Sequence, residues 1–190
     1  MAMGTFKRLG KTLFSWACAA IVLAAASGLA APAHAQARKV TWDEQSLFID
    51  GKREVIWSGE FHPFRLPDTN AWRDIYRKMK ASGFNTVALY FYWGYHSPAP
   101  GVYDFTGIRD MDLAIRMAEE EGLYVIVRPG PYINSELSRG GFPGYLARQT
   151  AVARTDDPAY LKAADEWLTQ IDAIIAKHEI TRGGNVILYQ

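Results

Sequence analysis

Tyr124-Val125-Ile126-Val127-Arg128-Pro129-Gly130-Pro131-Tyr132-Ile133-Asn134-Ser135-Glu136 is an apolar run closed by two prolines and a glycine, then a cluster of hydrogen-bonding side chains. The prolines fix φ and remove two backbone donors, so a sheet ladder cannot continue past Arg128, and the loop is stiff where Asn134 and Glu136 project. A stiff loop at the C-terminal end of a strand is where α/β enzymes set their working groups. The stretch predicts a buried strand that hands over to a site.

Working outward, the same pattern repeats. Upstream, Thr86 to Tyr92 is a nearly continuous apolar and β-favouring run, as a parallel strand buried on both faces requires. Before it, Pro67 and Asp68 introduce a helix with Trp72, Ile75, Tyr76 and Met79 at i, i+3, i+4, i+7, ended by Gly83. Met111, Ala114, Ile115 and Ala118 predict a second helix, stopping at Gly122. Downstream, Asp157-Pro158 opens a third, carrying Leu161, Ala164, Leu168, Ile171 and Ile175, broken by Gly183-Gly184 before the apolar strand Val186 to Gln190. Nearer the N-terminus, Leu47 to Ile49, the turn pair Asp50-Gly51 and Val55 to Trp57 read as a hairpin whose second strand runs on into Ser58-Gly59-Glu60-Phe61-His62. Strand, helix, strand, helix, strand, helix, strand demands parallel crossovers. Four such units are half of an eight-unit barrel. A doubly wound open sheet fits the alternation too, but no G-x-G-x-x-G follows the first strand.

Residues 1–35 read as an export signal: Lys7, Arg8 and Lys11, an apolar stretch from Leu13 to Ala31, then Ala33-His34-Ala35 as a cleavage site. Left uncleaved, that stretch is just long enough to anchor the chain in a membrane, the one membrane contact expected. A lipoprotein reading through Cys18 is weaker, because Trp16 sits where a small residue is expected. Of 21 basic and 20 acidic residues, three basic ones lie in the signal, which leaves residues 36–190 with a net charge of −2 and no footprint for nucleic acid. The single cysteine, Cys18, also lies in the signal, so the exported part is expected to have neither disulfide, thiolate nucleophile nor thiolate metal ligand. About 155 residues suffice for one core but fall short of a complete barrel of about 250. Because the chain ends at Gln190 inside an apolar strand, a truncated piece is expected.

Several motifs in order then carry a resemblance: Ser58-Gly59-Glu60-Phe61-His62, Trp72-Arg73 with Lys78-Met79-Lys80, Gly83-Phe84-Asn85-Thr86-Val87, Tyr90, Trp93, His96-Ser97-Pro98, Gly101-Val102-Tyr103-Asp104-Phe105, Arg128-Pro129-Gly130-Pro131-Tyr132 and Gly140-Gly141-Phe142-Pro143. From about Ser46 to Gln190 the chain resembles the N-terminal half of the catalytic barrel of glycoside hydrolase family 35, the β-galactosidases. The resemblance implies a (β/α)8 TIM barrel of which residues 36–190 hold about the first four units. It also implies a retaining mechanism with two glutamates about 5 to 5.5 Å apart, one protonating the glycosidic oxygen and one attacking the anomeric carbon. Both would fall beyond Gln190, so no catalytic residue is assigned within this chain, and the 190 residues alone are expected to be inactive.

What the resemblance carries over is sugar binding by Tyr90, Asn134, Ser135 and Glu136, with a terminal β-D-galactoside as the partner and no cofactor or metal. The chemistry suits them, since a carboxylate accepts from two hydroxyls and an amide both donates and accepts. Rings such as Tyr90, Tyr132 and Trp93 would cover the apolar face of the sugar. Two departures stand out: His62-Pro63 replaces the more usual His-Tyr, and Leu137 follows the glutamate where many members carry Trp. A noncatalytic carbohydrate-binding relic is the alternative from a different class.

Plainer roles compete at several positions. Glu136 could be a solvated loop carboxylate beside Ser138 and Arg139, although the resemblance argues against it. Glu60 is read as structural or supporting rather than catalytic, and His62 and His96 as structural rather than metal-ligating, because no zincin spacing is present. Arg65 is expected to pair inside the barrel, Trp72 and Tyr76 to be core, and Glu119-Glu120-Glu121 to be a solvated face.

Overall fold

In a computed structural model the chain is described over residues 36–149 and 151–190; the signal assigned to residues 1–35 lies outside them. Three short strands come first, β1 (Val40–Trp42), β2 (Leu47–Ile49) and β3 (Lys52–Glu54), forming an antiparallel sheet in that order. They are followed by β4 (Ser58–Phe61), α1 (Thr69–Ala81), β5 (Thr86–Tyr90), the single-turn α2 (Trp93–His96), α3 (Met111–Glu120), β6 (Tyr124–Arg128), α4 (Pro158–Ile175) and β7 (Val186–Tyr189). No helix among the described residues is long and apolar enough to cross a membrane.

Strands β4 to β7 pair in parallel and in chain order, β4-β5-β6-β7. A doubly wound sheet reverses its strand order at a switch point, whereas a barrel never does, so the sequential order selects the partial (β/α)8 barrel. Register places Gly59, Val87 and Val125 on one face and Glu60, Ala88 and Ile126 on the other. The first face takes the helices: Val87, Leu89, Val125 and Val127 are fully buried with Trp72, Tyr76, Ile115 and Trp167. The second is the barrel interior, with Leu188 in register with Ile126 and Arg128 with Tyr90 at its C-terminal rim.

Capping explains where the helices begin. The Asp68 carboxylate accepts from the Asn70 and Ala71 amides, Asp110 from Leu113, and Asp157 from Ala159 and Tyr160 with Pro158 in the first turn. Gly184 ends the last crossover for a steric reason, because a Cβ there would fall 2.1 Å from the His178 carbonyl oxygen.

Four expectations are corrected. The strand returning from Asp50-Gly51 is Lys52–Glu54, not Val55 to Trp57: the two-residue turn, with φ of 53° and 79°, pairs Ile49 directly with Lys52. Val55 to Trp57 is fastened instead to Asn85, whose side chain accepts from the Trp57 amide at 2.9 Å and donates to the Val55 carbonyl at 2.7 Å. The antiparallel sheet therefore does not run into β4; Ile49 packs with Ile180 and Ile187 beside Tyr124, near the N-terminal end of β6. In α4 the core seam is Tyr160, Ala164, Trp167, Ile171 and Ile175, while Leu161 is exposed, since the large aromatics win the inward stripe. Trp93 is wholly buried against Trp167 and Phe142, so it is unavailable to a sugar. Glu120 and Glu121 are not merely solvated: Arg73 reaches both, at 2.5 and 3.0 Å, and Arg77 reaches Glu121 at 3.1 Å, which ties α3 to α1.

Candidate sugar-binding site

Three consecutive strands end on the same rim, and each contributes. From β4 come Glu60 and, just past it, His62; from β5, Tyr90; from β6, Arg128 and the loop that carries Ile133, Asn134, Ser135 and Glu136. These eight residues line a hollow of about 110 Å³. That is smaller than the roughly 300 Å³ at which ordinary ligand pockets begin, so they form one wall of a site. A larger hollow of about 680 Å³ lies at the other end, where Tyr124 opens β6, and is crossed by the Arg38–Asp50 ion pair at 2.8 Å.

The wall is ordered by its own hydrogen bonds. The Tyr90 hydroxyl donates to Glu60 Oε2 at 2.8 Å, the Arg128 guanidinium lies over the Tyr90 ring at 4.1 Å, and the His62 ring meets that ring edge-on at 4.6 Å. Tyr90 is thus enclosed on its face and edge, which leaves its hydroxyl oxygen as the atom able to accept from a ligand. Burial and then the nearby Arg65 charge hold the His62 imidazole below its ordinary range. Its Nε2 is buried without a hydrogen-bond partner among the described residues.

The loop after β6 is fixed from behind. Trp167 of α4 donates from Nε1 to the Pro129 carbonyl at 2.8 Å, where the loop begins. The Ile133 amide donates to the Gly140 carbonyl at 2.9 Å, and Gly140 lies so close to the Tyr132 ring that a Cβ would fall 1.9 Å from it. Between these anchors Asn134, Ser135 and Glu136 all adopt left-handed backbone, with φ of 60°, 49° and 50°. Side chains in this conformation are uncommon and gather at functional sites. Asn134 and Glu136 are exposed, while Ser135 is buried with its hydroxyl donating to the Ile133 carbonyl. The Tyr132 hydroxyl donates to Asn134 Oδ1 at 3.2 Å, so the amide nitrogen is the free donor.

All four sugar-binding residues expected from the sequence, Tyr90, Asn134, Ser135 and Glu136, come together on this wall. Ser135 sits there with its side chain turned inward: its carbonyl accepts from Arg65 and its hydroxyl donates back to the Ile133 carbonyl. Of the three rings expected over the sugar, Tyr132 remains half-exposed, Tyr90 presents only its hydroxyl, and Trp93 is in the core. Arg65, expected to pair inside the barrel, pairs at its rim instead, with the Ser135 carbonyl 70 positions away and with Glu136; Arg128 also belongs to the wall, and its place as the last residue of an apolar strand is the sequence signal for that.

A family profile described as "Glycosyl hydrolases family 35" matches residues 46–190. A protein named "Probable beta-galactosidase A" from Aspergillus fumigatus is 51% identical over 151 residues, covering 80% of this chain and 15% of that protein. "Beta-galactosidase A" from a Penicillium species is 46% identical over 195 residues, covering 95% of this chain and 19% of the relative. The chain thus spans less than a fifth of the length of these curated relatives. Among solved structures, the exo-beta-1,4-mannosidase Op5Man5 from Opitutaceae bacterium strain TAV5 superposes with a TM-score of 0.58 at 18% identity, over 74% of this chain and 25% of that one. A GH5_18 protein from Streptomyces cattleya, solved with GlcNAc, gives 0.54 at 19% identity over 70% and 32%. At such identities the likeness is one of fold.

Proposed function

The chain belongs to glycosyl hydrolases family 35, and from that membership we propose that the strand-end wall binds the galactose unit of a terminal β-D-galactoside in an exported, retaining β-galactosidase. The observation that carries this is the left-handed triplet Asn134-Ser135-Glu136, which projects a carboxylate and an amide beside the Tyr90 hydroxyl. A galactose ring edge is a row of hydroxyls that each donate and accept. Glu136 accepts from two of them, the Asn134 amide nitrogen donates to a third, and Tyr90, whose own proton goes to Glu60, accepts from a fourth.

In this reading neither Glu60 nor Glu136 performs the chemistry. Glu60 supports Tyr90, and Glu136 binds sugar. Acid/base and nucleophile are the two glutamates that the family resemblance places after β7 and at the end of a later strand, neither among these 190 residues. Held about 5 to 5.5 Å apart, they would act in two steps through a glycosyl-enzyme, with the strand-end wall holding the ring still in both. Export rests on the basic, apolar and A-x-A pattern of residues 1–35.

The experiment is a galactose titration of the full-length protein and its Glu136→Ala variant, alongside turnover of a chromogenic β-galactoside. Truncation leaves sugar hydroxyls without their charged partner, an expected loss of about 1.5 to 3 kcal/mol. A Glu136→Ala protein that binds galactose as tightly as the parent removes this wall from the sugar site.

A further inference from the structure

Three left-handed residues in a row persist only where their surroundings over-determine them. The turn holds itself partly, through the Leu137 amide donating to the Asn134 carbonyl at 3.0 Å and Ser135 Oγ to the Ile133 carbonyl at 3.2 Å. Neither bond reaches the Ser135 carbonyl or the Glu136 carboxylate. Both are met by Arg65, which comes from a different strand-end loop. Its guanidinium donates to the Ser135 carbonyl oxygen and stands 3.6 Å from Glu136 Oε2. Glu136 is otherwise 79% exposed, and Arg65 is the cation within ion-pair distance of it among the described residues.

Arg65 is itself well placed to act as a brace. It closes a single 3-10 turn directly after β4, its amide donates to the His62 carbonyl at 3.0 Å, and Pro63 and Pro67 stiffen the segment on either side. Both contacts come from one nitrogen, Nη2, whose direction the planar guanidinium fixes, whereas a lysine ammonium in its place would be a freely rotating point charge.

We propose that Arg65 is a positioning residue of the sugar site: it locks the left-handed turn through the Ser135 carbonyl and aims the Glu136 carboxylate at the galactose ring. The inference rests on the sugar-binding reading above. It adds that affinity depends on coupling between two loops, one after β4 and one after β6. Arg65 need not touch the sugar for its loss to be felt there.

A double-mutant cycle on galactose affinity in the full-length protein tests this, with Arg65→Ala, Glu136→Ala, the double variant and Arg65→Lys. Arg65→Ala is expected to weaken binding about tenfold or more, the scale of one lost charge-assisted bond. The double variant should bind at least about fivefold better than the product of the two single losses, because each removes part of the same interaction. Arg65→Lys should recover only part of the loss, and in Arg65→Ala the Leu137 amide should exchange its hydrogen faster. Should Arg65→Ala fail to fold, Arg65→Lys and its double with Glu136→Ala carry the same cycle. Strictly multiplicative losses, or an Arg65→Ala protein that binds like the parent while Glu136→Ala does not, would overturn the positioning role and leave the sugar-binding reading intact. A neutral Glu136→Ala would instead overturn that reading and the inference with it.

Discussion

Charge decides the ranking among the residues of the wall. Glu136 offers charged hydrogen bonds, Asn134 neutral ones, and Glu60 acts through the Tyr90 hydroxyl at 2.8 Å. Galactose affinity is therefore expected to fall most in Glu136→Ala, less in Asn134→Ala, by about 0.5 to 1.5 kcal/mol, and least in Glu60→Gln, whose amide oxygen still accepts from Tyr90. Calorimetric titration of the three variants gives the order, and Glu60→Gln as the worst binder would make Glu60 a direct ligand. A second residue-scale effect lies outside the site. Burial pushes the His96 imidazole down to about 4, with Nδ1 kept beside the Asp104 carbonyl oxygen at 3.1 Å. Between that value and 6.5 the unfolded chain binds a proton that the folded protein refuses, so stability is full above about pH 6.5 and declines as the pH falls toward 4, by about 3 kcal/mol. His62, also held down, acts with the same sign. Urea unfolding at pH 4.5, 5.5 and 6.5 should show this slope flattened in His96→Gln; an unchanged slope would assign the effect elsewhere.

Helices and loops transmit these arrangements. Trp167 joins α4 to the site loop by its bond to Pro129 and stacks on Trp93 at 6.1 Å and His96 at 5.9 Å, so it connects three elements at once. Trp167→Ala is expected to cost about 3 to 5 kcal/mol in unfolding free energy, against about 1 kcal/mol for removing the α1 cap in Asp68→Ala. Galactose affinity should separate the two variants further, because only Trp167 anchors the loop. In the loop itself Gly140 has φ of 63° and no room for a side chain beside Tyr132. Gly140→Ala must displace the ring whose hydroxyl orients Asn134, so weaker galactose binding with a moved Tyr132 in a crystal structure is the expected result. Parent-like affinity would show that Tyr132 does not set the amide.

For the molecule as a whole, the four parallel strands cover one face with helices and leave the other incompletely packed. Leu188, Tyr189 and Glu60 are exposed on or beside it, and neither β4 nor β7 has a second parallel neighbour among the described residues. Open parallel edges and a half-covered interior invite association. A polypeptide of residues 36–190 expressed by itself is expected to be oligomeric or insoluble, and sedimentation of a clean monomer with a sharp cooperative melt would contradict that.

The strand and helix order, two of the helix starts and the place of the candidate site loop were legible from periodicity, from Asp and Pro at the caps, and from the prolines after Arg128, because all of these are local physics. Recognition of the family through spaced motifs supplied Tyr90, Asn134, Ser135 and Glu136 together. Contacts across long stretches of chain were not legible. Asn85 holding Val55 to Trp57 away from the hairpin, Trp93 turned into the core against Trp167, and Arg65 reaching Ser135 and Glu136 all join residues separated by 28 to 74 positions, through contacts that only folding creates. An apolar triplet looks the same whether it pairs in a sheet or is held by one asparagine, and an arginine looks the same whether it is solvated or braces a turn. Only the folded chain, which fixes which surfaces are adjacent, distinguishes them.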